Sequence, residues 1–125
     1  MTNIILIALT LHGEAGIEPF SGKMAVASVI YNRAGGDVDK MQAVILKRKH
    51  FSCWNNNVPI ADTLPSGQVW EDCMLIAKAM VDGSFKPVTN ANHYFNPSLS
   101  NPAWARGMEY CETINRHVFL KEVRR

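Results

Sequence analysis

The sequence predicts one α+β domain, mostly helical with a small β element, spanning residues 1–125. Three observations carry that prediction. The chain has 125 residues, 47% of them hydrophobic, a size that supports one buried core and not two independent ones. Several stretches repeat apolar residues at three- and four-residue intervals, the period of a helix with one buried face. Two short runs, 91–95 and 117–120, read instead as extended chain.

The first helix is expected from Thr2 to about Gly16, with Asn3 as a cap and Ile4, Ile5, Ala8, Leu9 and Leu11 buried. Glu14 falls in its last turn. Pro19 breaks the chain there, because the residue before a proline is pushed out of the helical region. A second helix runs from about Ser21 to Arg33 and stops at Gly35-Gly36. Asp37 caps a third through Lys49, burying Met41, Val44 and Ile45. From His50 to Pro65 the sequence is irregular. Ser66 caps a fourth helix to Asp82, with Val69, Trp70, Cys73, Ile76, Ala77 and Met80 at helical spacing and Gly83 as its stop. Ala91 to Phe95 is a short strand. Asn101-Pro102 opens a fifth helix with Trp104, Met108 and Cys111 on one side, and His117 to Leu120 is a second extended piece.

Charge narrows the function classes. Lys and Arg total 13 against 11 Asp and Glu, a formal charge of +2, so the chain has neither the composition of disorder nor that of a strongly basic nucleic-acid binder. The excess sits at Lys47-Arg48-Lys49 and in the tail from Lys121 to Arg125. Those runs suit attraction to an anionic polymer or simply a solvated face. Cys53, Cys73 and Cys111 are an odd, widely spaced set, which predicts reduced thiols and a protein made in the cytoplasm. The apolar opening is too short for a membrane span and lacks the basic start of a signal peptide. No nucleic-acid partner and no membrane insertion are therefore expected.

The chemistry concentrates in three places. The string His12-Gly13-Glu14-Ala15-Gly16-Ile17-Glu18-Pro19 puts a carboxylate at the end of a strongly apolar helix. Apolar walls favour the neutral carboxyl that a general acid needs, and the helix dipole disfavours a negative charge there; an exposed terminal Glu is the plainer alternative. Glu18 follows four residues on, and paired carboxylates are the usual equipment of glycoside hydrolysis. Pro19 and Gly16 interrupt the helix between them, so Glu18 is read as a supporting residue or as one that ties down the turn. The third place is aromatic and polar. Ser52, Trp54 and Asn55, then His93, Tyr94 and Asn96, together with Trp104, supply rings and amides of the kind that hold a sugar. Helical spacing alone would put Trp70 and Trp104 in the core. Four His and three Cys show no paired metal-ligand spacing, so no metal and no cofactor is called for.

Taken together these blocks resemble a known family. The run Gly13-Glu14-Ala15-x-x-Glu18-Pro19-x-x-Gly22, continued by Ala25-Val26-Ala27 and Asn32-Arg33, is similar to the opening of the spore-cortex-lytic, SleB-type cell-wall hydrolases. Phe51-Ser52-Cys53-Trp54-Asn55, His93-Tyr94, Pro102-Ala103-Trp104-Ala105 and Ile114-Asn115-Arg116-His117-Val118-Phe119 resemble its later blocks in the same order. The resemblance implies a lysozyme-like fold that cuts peptidoglycan between N-acetylmuramic acid and N-acetylglucosamine. It also implies Glu14 as the acid of a lytic transglycosylase, with a 1,6-anhydro sugar as product. Ser52, Asn55, Tyr94 and Asn96 are candidates to stabilise the transition state. The family commonly has Arg-Gly where this chain has Gly16-Ile17, a departure that implies a rearranged ion pair or turn near the acid. The expected setting is that of a monomeric phage endolysin, made in the cytoplasm and acting on the wall after release. Two rivals are a zinc-dependent peptidoglycan amidase or peptidase and a noncatalytic wall-binding module.

Overall fold

A computed structural model describes residues 3–47 and 65–123. Four helices carry most of the chain: α1 (Asn3–Ala15), α2 (Phe20–Arg33), α3 (Val38–Leu46) and α4 (Gln68–Asp82). Three short strands follow, β1 (His93–Phe95), β2 (Glu109–Ile114) and β3 (His117–Lys121). This is the expected α+β class.

Helix α1 is the centre of the core. It buries Leu6, Ile7, Ala8, Leu11 and Ala15 and touches all three other helices, most extensively α4. Thr10, the polar residue in its buried face, donates its hydroxyl to the Leu6 carbonyl at 2.8 Å and so enters the core satisfied. Helix α2 presents Ala25, Val26, Ala27, Val29 and Ile30 to the same core, and the small residues let it lie close. Asp37 caps α3 as expected, accepting from the Asp39 N–H at 2.9 Å. Helix α4 buries Trp70, Cys73, Ile76, Ala77 and Met80 and ends at Gly83, in the left-handed conformation that glycine adopts without penalty.

Two expectations about α4 change. Its N-cap is Gly67, not Ser66, with no side-chain hydrogen bond, and Val69 is partly exposed. Helix α3 ends at Leu46, short of the expected Lys49, which lies outside the described residues.

The fifth helix does not form. After Pro102 there is one 3-10 turn, Ala103–Ala105, and Gly107 at φ 84° then turns the chain into β2. Met108 and Cys111 therefore share no helical face with Trp104. The residues of β2 include Tyr110, Thr113 and Ile114, all good strand formers, and they gain a partner that helical spacing cannot reveal. Strand β3 lies between β1 and β2, antiparallel to both, pairing Tyr94 with Phe119 and Ile114 with His117. A two-residue turn with Asn115 at φ 54° joins β2 to β3; Asn tolerates this left-handed geometry better than most side chains. The sheet contributes Phe119 and Leu120 to the core, and its inner edge meets the start of α2, where Asn115 Nδ2 donates to the Ser21 hydroxyl at 3.1 Å.

Candidate active site

The end of α1 and the turn into α2 place the two carboxylates in different surroundings. Glu14 lies in the last turn of α1, half-buried, with Oε1 shielded from solvent. The helix stops one residue later. The Glu18 N–H bonds to the Ala15 carbonyl at 3.0 Å, closing a tight turn through Gly16 and the exposed Ile17. Glycine is required at position 16, because a Cβ there would stand 2.4 Å from the His12 carbonyl oxygen, a backbone atom of the helix that carries Glu14.

Glu18 is buried at 4% exposure. Its Oε1 faces His117 Nδ1 at 3.5 Å, and its stem packs on Gly22, where an added Cβ would meet Glu18 Cβ at 2.8 Å. The buried Lys23 ammonium bonds to the Glu18 carbonyl oxygen and locks the turn from the other side. Because α1 ends at Ala15, Glu14 and Glu18 do not share a helical face. The Glu18 carboxyl is directed at His117 instead.

His117 links this turn to a groove. Its ring meets Tyr94 edge-on at 5.0 Å between centroids and Phe119 at 6.2 Å. Burial lowers its pKa from the ordinary value, as does Arg116, while Glu18 pulls the other way. The ring lines a cavity of about 460 Å3 together with Arg33, His93, Tyr94, Asn96 and Trp104. Trp104 is 46% exposed and packs against His93 and Phe95, so it forms the groove wall and not the core. Trp70 is the core tryptophan, set edge-on to His12 of α1.

The structure thus brings His93, Tyr94 and Asn96 to one cavity, with Glu18 one side chain behind it. Glu14 is not among that cavity's described lining; it stands on the helix end leading into the Glu18 turn. Ser52, Trp54 and Asn55 lie outside the described residues.

Two groove residues, His117 and Arg33, escape a reading of the sequence that looks for acids and aromatics. His117 had a detectable signal, since it alternates with Phe119 on the core side of a short strand, where an imidazole needs a polar partner. Arg33 is half-buried at the end of α2, and its Nε donates to the Asn92 carbonyl. Burial lowers its pKa, opposed by Tyr94. Beside it, Asn32 Nδ2 donates to the Thr89 and Ala91 carbonyls at 2.9 and 2.7 Å. The pair ties the end of α2 to the chain entering β1 and so fixes the groove floor. Among the described residues no group of three or more His, Cys, Asp or Glu is placed to hold a metal ion, and no helix is long and apolar enough to cross a membrane.

Comparison with known proteins adds the following. The family model described as Cell Wall Hydrolase matches residues 17–120. The chain is 32% identical over 124 residues to the spore cortex-lytic enzyme of Oceanobacillus iheyensis, covering 95% of this chain and 41% of that protein. It is 30% identical to the spore cortex-lytic enzyme of Bacillus subtilis, covering 95% and 37%. The chain therefore spans about two-fifths of the length of these curated relatives. Among solved structures it resembles the catalytic domain of the germination-specific lytic transglycosylase SleB from Bacillus anthracis, with a TM-score of 0.73, 27% identity and coverage of 95% of this chain and 93% of that one. The catalytic domain of the Bacillus cereus SleB protein superposes with a TM-score of 0.71 at 27% identity, covering 95% and 89%.

Proposed function

Because the chain belongs to the cell wall hydrolase family, we propose that it cuts peptidoglycan glycan strands between N-acetylmuramic acid and N-acetylglucosamine, as a lytic transglycosylase whose proton donor is Glu14. The observation that carries this is the course of the chain from a half-buried carboxyl at the end of α1, through the Glu18 turn and His117, into a groove walled by Tyr94, His93 and Trp104.

In the proposed reaction the protonated Glu14 gives its hydrogen to the bridging oxygen as the bond from the muramyl anomeric carbon breaks. The muramyl 6-hydroxyl then attacks that carbon and returns its proton to Glu14. The enzyme ends as it began, no water is consumed, and the product carries a 1,6-anhydro ring. Tyr94 and Asn96 supply dipoles for the oxocarbenium-like transition state, and Trp104 offers a face for a sugar ring to stack on. Glu18 holds His117 and keeps the groove floor in register with the acid. The proposed setting is synthesis in the cytoplasm and action on the wall after release, a reading that starts from the odd number of cysteines.

Glu14→Gln tests the reading, since it keeps the shape and removes the titrating proton. The variant should fold normally and release no soluble fragments from purified walls, whereas the wild-type products should be lighter by one water than hydrolysis products. Substantial activity in Glu14→Gln would end the assignment of the acid. New free reducing ends without anhydro product would replace transglycosylation by hydrolysis.

A further inference from the structure

A second hollow opens on the other side of Arg33. It holds about 350 Å3 and shares Arg33 and His93 with the groove, so these two side chains form the wall between the two spaces. The rest of its lining includes Lys47, Asn32, Asn92 and Glu122. Where the groove is aromatic, this annex is polar and charged.

The hydrogen bonds fix which charges face it. Asn92 Oδ1 accepts the Glu122 backbone N–H at 3.0 Å, which settles that atom as the oxygen. His93 Nδ1 lies 2.8 Å from the same oxygen and must therefore be the protonated nitrogen. Burial and the neighbouring Arg33 both lower the His93 pKa, with Glu122 opposing, which favours the uncharged ring. The permanent cations are then Arg33, anchored through Nε on the Asn92 carbonyl, and Lys47 at the exposed end of α3. The carboxylate of Glu122 is exposed at the rim. The annex is net positive, and its deepest charge is a planar guanidinium suited to holding a carboxylate.

We propose that the annex is a carboxylate subsite, and that its ligand is the peptide stem carried by the N-acetylmuramic residue lying in the groove. The proposal rests on the glycan-cleaving function above and deepens it, making stem-bearing strands better substrates than bare ones. Only the Arg33 and His93 side chains stand between the two spaces. An extended peptide advances about 3.3–3.6 Å per residue, so a stem of a few residues crosses that wall easily.

The experiment compares kcat/KM on glycan strands that keep their stems with kcat/KM on strands whose stems an amidase has removed. Wild type should favour the stem-bearing strands by about tenfold, the value of one charge-assisted contact. Lys47→Ala should shrink that preference and Lys47→Glu should abolish or reverse it, in both cases through KM. Arg33→Lys keeps the charge, loses the fork and should fall between them. In parallel, NMR titration with a free stem tripeptide should shift the Arg33 Nε–H signal, and the C-terminally amidated tripeptide should shift it less. Equal rates on the two substrates in wild type, or a preference that survives both Lys47→Glu and Arg33→Lys, would overturn the subsite. A shift produced by polyglycerol phosphate and not by the tripeptide would assign the annex to a phosphate polymer and overturn the stem. Failure to cut either substrate, with the tripeptide shift intact, would count against the glycan-cleaving reading and leave the subsite standing.

Discussion

Replacing Gly16 by Ala should cost more activity than stability. The new Cβ would stand 2.4 Å from the His12 carbonyl oxygen, where real contacts of this kind stay beyond 3.0 Å. The obstacle is backbone, so no side-chain rotation relieves it, and the last turn of α1 must open by at least about 0.6 Å. Overpacking of this sort costs about 1–3 kcal/mol, and the gain from replacing a glycine offsets up to about 1 kcal/mol of it. At this chain length the net is a fall in Tm of up to about 10 °C. The catalytic effect is larger because the displaced turn carries Glu14, and misplacing a reacting group by about 1 Å costs on the order of 100-fold in rate. Gly22→Ala is the matched control. Its Cβ would meet Glu18 Cβ, an atom fixed to the backbone, at 2.8 Å and Asn115 Nδ2 at 3.1 Å, so its loss of stability should be similar, while its loss of activity should be smaller because the displaced residue is Glu18 and not the turn that carries Glu14. The assays are thermal unfolding followed by fluorescence and release of soluble fragments from purified walls. A Gly16→Ala protein with wild-type Tm and wild-type activity would refute the claim that this turn positions the acid.

Two further outcomes follow from the groove. His93 and His117 both have pKa values lowered by burial from the ordinary 6.5, so the unfolded chain binds more protons between the folded and unfolded values. Stability should be complete above about pH 6.5 and decline as the pH falls toward the folded values. Urea midpoints measured from pH 7.5 to 5 should show this decline, and a His93→Gln, His117→Gln double variant should flatten it; an unchanged slope would remove these rings as its source. Trp104→Ala should raise KM for glycan strands several-fold while costing about 1 kcal/mol of stability, because the ring is half-exposed and its ring contacts are with His93 and Phe95. An unchanged KM would take Trp104 out of the sugar-binding wall.

The parts of the fold that depend on near neighbours could be read from the chain alone. The stripe on α4 from Trp70 onward, the Asp37 cap and the Gly83 stop are all decided within a turn or two of helix, and the structure has each of them. The segment after Pro102 was misread because its outcome is decided at long range. Residues 109–114 become a strand by pairing with β3, a partner their own spacing does not mention, and Gly107 at φ 84° was the local sign that the helix could not continue. The same distinction runs through the site. Glu14 stands out because an acid at the end of an apolar helix is anomalous in its own neighbourhood. Arg33 and His117 acquire their meaning only when the end of α2, the chain entering β1 and the hairpin converge on one cavity.

The fate of Glu18 bears on how the proposed reaction proceeds. A retaining glycosidase needs a second carboxylate about 5 Å from the acid, and an inverting one needs it farther away with room for a water between them. Glu18 is committed elsewhere. Its side chain is 3% exposed, its carboxyl faces His117, and Gly22 packs on its stem. The described residues lining the groove include no Asp or Glu. With Glu18 turned toward His117, the proposed reaction needs a nucleophile from elsewhere. A nucleophile carried by the substrate itself, the muramyl 6-hydroxyl, meets that need, and one carboxyl that first gives and then recovers a proton is sufficient for the whole cycle.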